Sequence, residues 1–426
     1  MNLKKLKRVI LSTLLIFILT TFSITSYAAE KITISSGAGL LIERSSDRIL
    51  FEKNAYEIMY PASTTKILTA IVVLENAELD ELATVSKNAL ETIPNGYVTC
   101  NLQIGEELSV KDLMYALMVK SANDAAVVLA EHVGGSVERF ADMMNQKAKE
   151  IGCKNTHFVN PNGIHDENHY TTAYDLYLMA NYGMKNETFR KLVSTTSYTL
   201  PATNQYPNED RTFPTTNEIL KVNNNNRADN YYYKYAIGIK TGYTKQARNC
   251  LVSAAVRDEL SFISVILDGG TTDEGLSERY LDTIELFDYA YDNFTLTKIK
   301  DANNVVKTIE IENASKETKN LDLLIKDSIT VINNKETDTN NILPEINLNS
   351  ELKAPISKGD TVGTIKYIVD DIEYTSDLLA GSDCEEKPDY SSLFLILGIS
   401  LLVFSILILP KKHRRKKSRK RSKRMY

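Results

Sequence analysis

The 426-residue sequence predicts an α/β layered domain, a small all-β domain behind it, and a membrane-spanning helix near the C-terminus. Three observations carry that prediction. Strand-like segments lie on either side of a long stretch of helical periodicity, and one more helical pattern closes the unit, which suits a layered rather than a doubly wound parallel arrangement. From about Thr295 the texture changes to short strands between polar turns. Ser391–Leu409 contains no charged residue and is long enough to cross the roughly 30 Å hydrocarbon layer as a helix.

The elements follow in order. Ile32–Ile34 and Gly39–Ile42 read as strands, and Ser45-Ser46-Asp47 turns the chain into Arg48–Phe51 to complete a hairpin. Behind Pro61, the apolar residues Ile67, Leu68, Ala70, Ile71 and Leu74 recur at helical spacing. Further helices are expected over Lys111–Val119, Asp124–His132 and Val137–Ile151. Residues 201–233, with Pro201, Pro207, Pro214 and the run Asn223–Asn226, read as a long irregular connection, of the kind that serves a site or is mobile. Strands return at Tyr235–Lys240, Leu251–Val256 and Leu260–Leu267. A helix carrying Tyr280, Leu281, Ile284, Phe287, Tyr291 and Phe294 ends the unit at 294. The all-β domain covers 295–380, with strands at Val305–Ile311, Leu321–Ile325, Ser328–Ile332, Asp360–Val369 and Ile372–Asp377. A charged linker, 381–390, leads to the 391–409 helix.

Both ends of the chain are specialised. Lys4, Lys5, Lys7 and Arg8 precede the apolar run Val9–Phe22, and Ser26-Tyr27-Ala28 offers small residues at the cleavage positions. Residues 1–28 therefore read as a secretory signal peptide cut after Ala28, the other reading being an uncleaved anchor. After Pro410 the tail 410–426 is strongly basic. Alone it would suggest nucleic-acid binding, but directly behind a spanning helix it reads as a cytoplasmic stop-transfer anchor. The net charge of −5 is thus the sum of two basic ends and an acidic body, and such a body offers no stripe for nucleic acid. The four cysteines (Cys100, Cys153, Cys250, Cys384) allow three pairings, and the sequence does not choose between pairing and free thiols.

Three short motifs carry chemistry. Ser63-Thr64-Thr65-Lys66 stands at a helix start, where residues three apart share a face, so the serine hydroxyl and the lysine amine can meet. Serine is a weak nucleophile unless a neighbour takes its proton. Ser121-Ala122-Asn123 lies between two helices and can deliver a second hydroxyl and an amide. Lys240-Thr241-Gly242 ends an apolar strand: the lysine supplies charge, the threonine a hydrogen bond to a carboxylate, and the glycine room for a substrate against the strand. SxxK recurs at Ser350–Lys353 and SxN at Ser86–Asn88, but neither occupies a comparable place. The order of the trio is the one described for penicillin-binding proteins and β-lactamases. His165-Asp166-Glu167-Asn168-His169 lacks helical spacing and reads as a structural loop, so no metal is expected, and no cofactor is implied. Tyr231-Tyr232-Tyr233 carry no assignment.

On these residues, 29 to about 380 resemble a low-molecular-mass penicillin-binding protein, a serine D-alanyl-D-alanine carboxypeptidase of the penicillin-binding protein five kind. The resemblance runs through Pro61–Ala70, Ser121–Ala126 and Ile239–Thr244, and extends to Asn160-Pro161-Asn162-Gly163 and His169–Leu176. It implies a β-lactamase/transpeptidase-like α/β fold, an antiparallel sheet with helices on both faces plus a helical subdomain. It implies removal of the terminal D-alanine from peptidoglycan stem pentapeptides, with β-lactams as covalent inhibitors and the catalytic domain held outside the cell membrane. Carried over by position, Ser63 is the nucleophile, Lys66 its base and Ser121 a proton relay. Asn123, Lys240, Thr241, Gly242 and Tyr243 bind substrate, with the N–H groups of Ser63 and Tyr243 as oxyanion donors. One departure stands out: where the family often has a basic residue soon after Gly-Gly, Gly269-Gly270 here precedes Thr271-Thr272-Asp273-Glu274, and the next arginine is Arg279. Either Arg279 takes that place or Thr241 acts with less help. Other readings of the same scaffold are an endopeptidase, a β-lactamase, for which no Glu-x-x-Leu-Asn segment is found between Asn123 and Lys240, and a non-hydrolytic sensor acylated by penicillin.

Overall fold

The computed structural model describes residues 32–222, 230–349 and 351–408. The expected signal peptide, the basic tail and Ser350 lie outside the described residues. The chain divides into two compact units, one of residues up to 296 plus 334–336, the other of the remainder.

The first unit is built on a five-stranded sheet of β1 (Ala38–Glu43), β2 (Arg48–Lys53), β3 (Ala236–Thr244), β4 (Arg248–Arg257) and β5 (Leu260–Gly269), in the order β2-β1-β5-β4-β3 and antiparallel throughout. Six consecutive residues of β4, Cys250–Ala255, are buried, so the sheet is covered on both faces. Alternate residues serve the two coverings. Val252, Ala254, Ile263, Val265 and Leu267 join the core formed with the helices between β2 and β3. Phe262 meets Tyr291 of the closing helix edge-on at 4.9 Å. That closing helix is Glu278–Asn293.

The helices over 66–194 form the second layer and the subdomain. They include α1 (Lys66–Asn76), α2 (Val110–Tyr115), α3 (Asn123–Gly134) and α4 (Val137–Ile151). Ala173–Gly183 and Glu187–Ser194, absent from the sequence expectation, are also helical, each opened by a side-chain cap, Thr172 on Asp175 N and Asn186 on Phe189 N. Two expectations are corrected. Ile32–Ile34 is not a strand, because Asp282 captures the N–H groups of Ser35 and Ser36 and the Ser36 hydroxyl. The 201–233 connection is partly ordered: Arg211–Pro214 pairs with Ser197–Leu200, and Glu218–Leu220 forms a turn of 3-10 helix.

The second unit contains an antiparallel sheet of β6 (Val305–Glu310), β7 (Asn320–Ile325), β8 (Glu345–Leu348), β9 (Thr361–Val369) and β10 (Ile372–Ala380), ordered β6-β7-β10-β9-β8. Leu321, Leu323, Ile325, Ile365, Tyr367 and Leu378 fill its core. Pairing continues beyond 380, through Ile356 with Cys384 and Ala314 with Glu386, so the segment free of this unit is shorter than the expected linker. Ser391–Ile408 is one continuous apolar helix with a mean hydropathy of 2.6, long enough to cross a membrane. All four cysteines are free thiols.

Candidate active site

The first motif sits on a single 3-10 turn, Ala62–Thr65, that runs into α1. In a 3-10 turn, side chains three apart eclipse one another, which aligns Ser63 with Lys66 more closely than an α-helix would. The Ser63 Oγ to Lys66 Nζ distance is 2.9 Å. The turn is held from inside: the hydroxyl of Thr64 donates to Pro61 O at 2.7 Å and that of Thr65 to Ala62 O at 2.8 Å. His169 Nε2 meets Thr65 Oγ1 at 2.8 Å, while its Nδ1 accepts from Val159 N at 3.2 Å. That pattern assigns a neutral ring protonated on Nε2. Burial agrees with it, pushing His169 down to about 3. The expected structural loop thus props the nucleophile's turn from behind.

Two glycines let neighbouring backbones press onto this turn, where Ala62 itself has a positive φ of 47°. A Cβ on Gly163 would fall 1.9 Å from Ala62 O, and one on Gly242 would fall 2.9 Å from Pro61 O and 3.0 Å from Ser63 N. Gly242 therefore also makes room for the nucleophile's own backbone. Lys240-Thr241-Gly242 does not end its strand. It lies within β3, where Thr241 and Gly242 pair with Leu251 and Cys250. β3 is the edge of its sheet, so the side of its backbone away from β4 pairs with no other strand of it.

Lys66 is fully buried. Its Nζ also donates to Asn123 Oδ1 at 2.9 Å and to Asn162 O at 2.6 Å. Burial is the main force holding its pKa well below the ordinary lysine range; the charge of Lys240 adds to this and that of Asp124 opposes it. Asn162 O is aimed by an Asx turn in which Asn160 Oδ1 accepts from Gly163 N at 2.7 Å. Asn123 is fixed at its other end, where Nδ2 donates to Val98 O at 2.9 Å. Asp124, also buried, accepts from the N–H groups of Cys100 and Leu102 and so holds the segment that presents Val98.

Ser121 follows a single π turn, Ala116–Lys120, and takes the left-handed conformation at φ 65°, a placement that recurs at functional sites. Its Oγ accepts from Lys240 Nζ at 2.9 Å. Lys240 is 1% exposed, and burial, helped by Arg279, lowers it to about 7. Thr241 Oγ1 lies 3.2 Å from Thr216 Oγ1.

These groups meet at a cleft of about 420 Å³. Ser63, Ser121, Asn123, Thr241, Gly242 and Tyr243 line it, with Asn162, Thr216 and Arg279 beside them. Of the expected site residues, Lys66 and Lys240 reach the cleft only through Ser63 and Ser121. Arg279 opens the closing helix, donates to Gly242 O at 3.0 Å and brings its guanidinium to the cleft that Thr216 and Thr241 also line. The duplicate Ser86–Asn88 is elsewhere: Ser86 caps a short helix and donates to Glu131. What sequence reasoning missed are Asn162, Val98, Asp124 and Thr216. Asn162 and Asp124 stood in noticed stretches, but the first contributes a main-chain oxygen and the second holds backbone N–H groups from elsewhere in the chain.

A buried serine–lysine pair at a helix start, facing a second serine–lysine pair across a cleft bounded by an edge strand, defines a serine hydrolase of the acyl-transfer class. The family described as Peptidase_S11, D-alanyl-D-alanine carboxypeptidase, matches residues 25–271, and the penicillin-binding protein 5 C-terminal domain matches 294–386. The chain is 31% identical to D-alanyl-D-alanine carboxypeptidase DacF of Bacillus subtilis, over 89% of this chain and 94% of that one. It is 30% identical to D-alanyl-D-alanine carboxypeptidase DacC of Escherichia coli, over 86% and 87%. Its fold matches crystal structures of penicillin binding protein 5 from Haemophilus influenzae with a TM-score of 0.67 at 25% identity, covering 84% of this chain and 99% of that one. The chain belongs to the D-alanyl-D-alanine carboxypeptidase family, peptidase S11, and is a serine carboxypeptidase of cell-wall peptidoglycan.

Proposed function

We propose that the enzyme removes the terminal D-alanine of a peptidoglycan stem pentapeptide through an ester on Ser63, and that β-lactams are trapped at the same atom. The observation that carries this is the environment of Lys66 Nζ, 2.9 Å from Ser63 Oγ with two carbonyl oxygens as its other partners. A neutral amine has two hydrogens and one lone pair. With the hydrogens directed at Asn123 Oδ1 and Asn162 O, the lone pair is left for the serine proton. Ser63 Oγ then bonds to the penultimate carbonyl carbon as its proton passes to Lys66. The N–H groups of Ser63 and Tyr243 receive the oxyanion. Collapse breaks the C–N bond, and the proton reaches the departing amine through Ser121, which Lys240 orients. Water then cleaves the ester. Thr241, Thr216 and Arg279 hold the terminal carboxylate, and Asn123 binds the peptide carbonyl.

The test is free D-alanine released by the full chain in detergent from a pentapeptide ending in D-Ala-D-Ala. Release is expected from the native enzyme and none from Ser63→Ala. Labelled penicillin should modify Ser63 alone, and an adduct on Ser121 or Ser350 would overturn the assignment.

The 391–408 helix anchors the enzyme, with the catalytic unit outside and the basic tail inside, a reading supported by the helix's apolar length and the charge behind it. Protease added to sealed cells should shed a large fragment and spare residues 411–426, and digestion of the tail would reverse the orientation.

A further inference from the structure

A second cavity, of about 320 Å³, is lined by Ile58, Met59, Tyr60, Glu167, Tyr170 and Gln246, with Ala247 and Asp268 completing it. Nothing in the catalytic machinery uses it. Three chain segments nonetheless run from the cleft straight into it. Tyr60 borders the cavity and Ser63 the cleft, Glu167 the cavity and Ile164 the cleft, and Gln246 the cavity and Lys245 the cleft. The same three segments therefore contribute to the linings of both spaces.

We propose that this cavity is a saccharide subsite, which receives the N-acetylated amino sugar that carries the stem peptide. The inference rests on the carboxypeptidase reading with the stem added antiparallel along the free edge of β3. In that register the scissile carbonyl lies at Tyr243, and the stem's three upstream residues, about 10 Å of extended chain, run past Thr244, where β3 ends, and over the turn at 245–247. The sugar joined to the stem's first residue therefore arrives where Gln246 enters the cavity. The lining suits it. Tyr60, Tyr170, Met59 and Ile58 offer apolar and aromatic surface for the C–H faces of a pyranose ring. Polar groups for its hydroxyls and acetamido group are at hand: Glu167, Gln246 and the hydroxyls of Tyr60 and Tyr170 make no hydrogen bond among the described residues. Asp268 is already paired with Arg248 at 3.0 Å. A volume of this size matches the smaller end of ligand pockets.

The experiment compares two substrates on the full-length enzyme in detergent, the free stem pentapeptide and the same pentapeptide on N-acetylmuramic acid. The native enzyme is expected to show a KM about 10-fold lower for the sugar-bearing substrate, as one added contact patch supplies. Glu167→Ala and Tyr170→Ser should each erase most of that preference, while free-pentapeptide turnover and penicillin acylation stay native. Glu167 is exposed, so its variant remains informative if Tyr170→Ser does not fold. Equal KM values in the native enzyme, or variants that keep the preference or weaken both substrates alike, overturn the subsite. Absence of turnover on both substrates overturns it together with the carboxypeptidase reading.

Discussion

Lys66, Lys240, Asp124 and Glu106 are all nearly or wholly excluded from solvent in the first unit, whereas in the second the buried polar residues are Ser315, Asn333 and Ser376, with no charged side chain among the described residues. The second unit carries its charge outside, in pairs such as Lys319–Glu310 and Lys326–Asp377 whose side chains are well exposed. Such pairs contribute about 0–1 kcal/mol each. A buried amine is another matter: desolvation alone penalises its charged form by several kcal/mol unless it gives up its proton or finds partners. The difference teaches where to look for chemistry. A fold built for stability keeps charge at the surface, as the second unit does. On the proposed mechanism the first unit accepts the buried Lys66 because its lowered proton affinity is what the reaction uses, and Lys240 because it orients Ser121.

The largest expected effect separates those two lysines. If Lys66 must be neutral to accept the Ser63 proton, Lys66→Arg keeps a charge that does not leave in the working range. Acylation by labelled penicillin should fall by about 10²–10⁴-fold, the usual contribution of a general base. Lys240→Arg should be milder, because orienting Ser121 requires a donor and a charge rather than a proton acceptor. Melting curves must show both variants folded before rates are compared. A near-native rate for Lys66→Arg beside a dead Lys240→Arg would mean the roles are reversed.

How far the site could be read in advance follows from which atoms do the work. Ser63, Lys66, Ser121, Asn123, Lys240 and Thr241 present side chains within short motifs, and the packing of the Ser63 turn and the Ser121 turn against β3 brings those motifs to one cleft. Val98 and Asn162 act through carbonyl oxygens, which every residue possesses, so their identities carried no signal. Asp124 was visible as part of a familiar stretch, but its task is to bind N–H groups more than 20 residues back in the chain. The fold was legible where periodicity is long, as in α4 and the closing helix. It was illegible in the Ser197–Leu200 and Arg211–Pro214 pair, where four-residue strands sit among prolines that usually mark loops. Arg279 was legible as a residue without a settled role, since helix geometry rather than adjacency to Gly269-Gly270 carries it to the cleft.

A smaller effect, confined to the second unit, sharpens the contrast from the other side. Ile365 is fully buried in the β9 core. Ile365→Ala should destabilise that unit by about 2–5 kcal/mol through lost contacts and a residual cavity. The rate of Ser63 acylation by penicillin at 25 °C should be unchanged, because no charged or nucleophilic group of the site depends on that core. A matching loss of acylation rate would show that the second unit takes part in the chemistry.

The smallest effect concerns the pH at which acylation switches on, and it tests whether the buried charges act on one another. The rate should rise with pH as Lys66 loses its proton and level off well below the ordinary lysine value of about 10.4. Two neighbours push this limb in opposite directions. Asp124 stabilises the charged amine, so Asp124→Asn removes a force that raises the Lys66 pKa, and the limb should move to lower pH. Lys240 destabilises it, so Lys240→Met should move the limb to higher pH, whatever it does to the plateau. Each shift should be about one pH unit or less, below the one to three expected of a close opposite charge, because neither neighbour is the main cause. The plateau and the limb report different things. Asp124→Asn places an amide N–H₂ against the N–H groups of Cys100 or Leu102 and loosens the segment carrying Val98 O, which lowers the plateau through Asn123. A purely structural role for Asp124 would lower the plateau and leave the limb where it was. Opposite displacements of the limb by the two variants require that the charges meet at the Lys66 amine, and displacement in the same direction would refute that coupling.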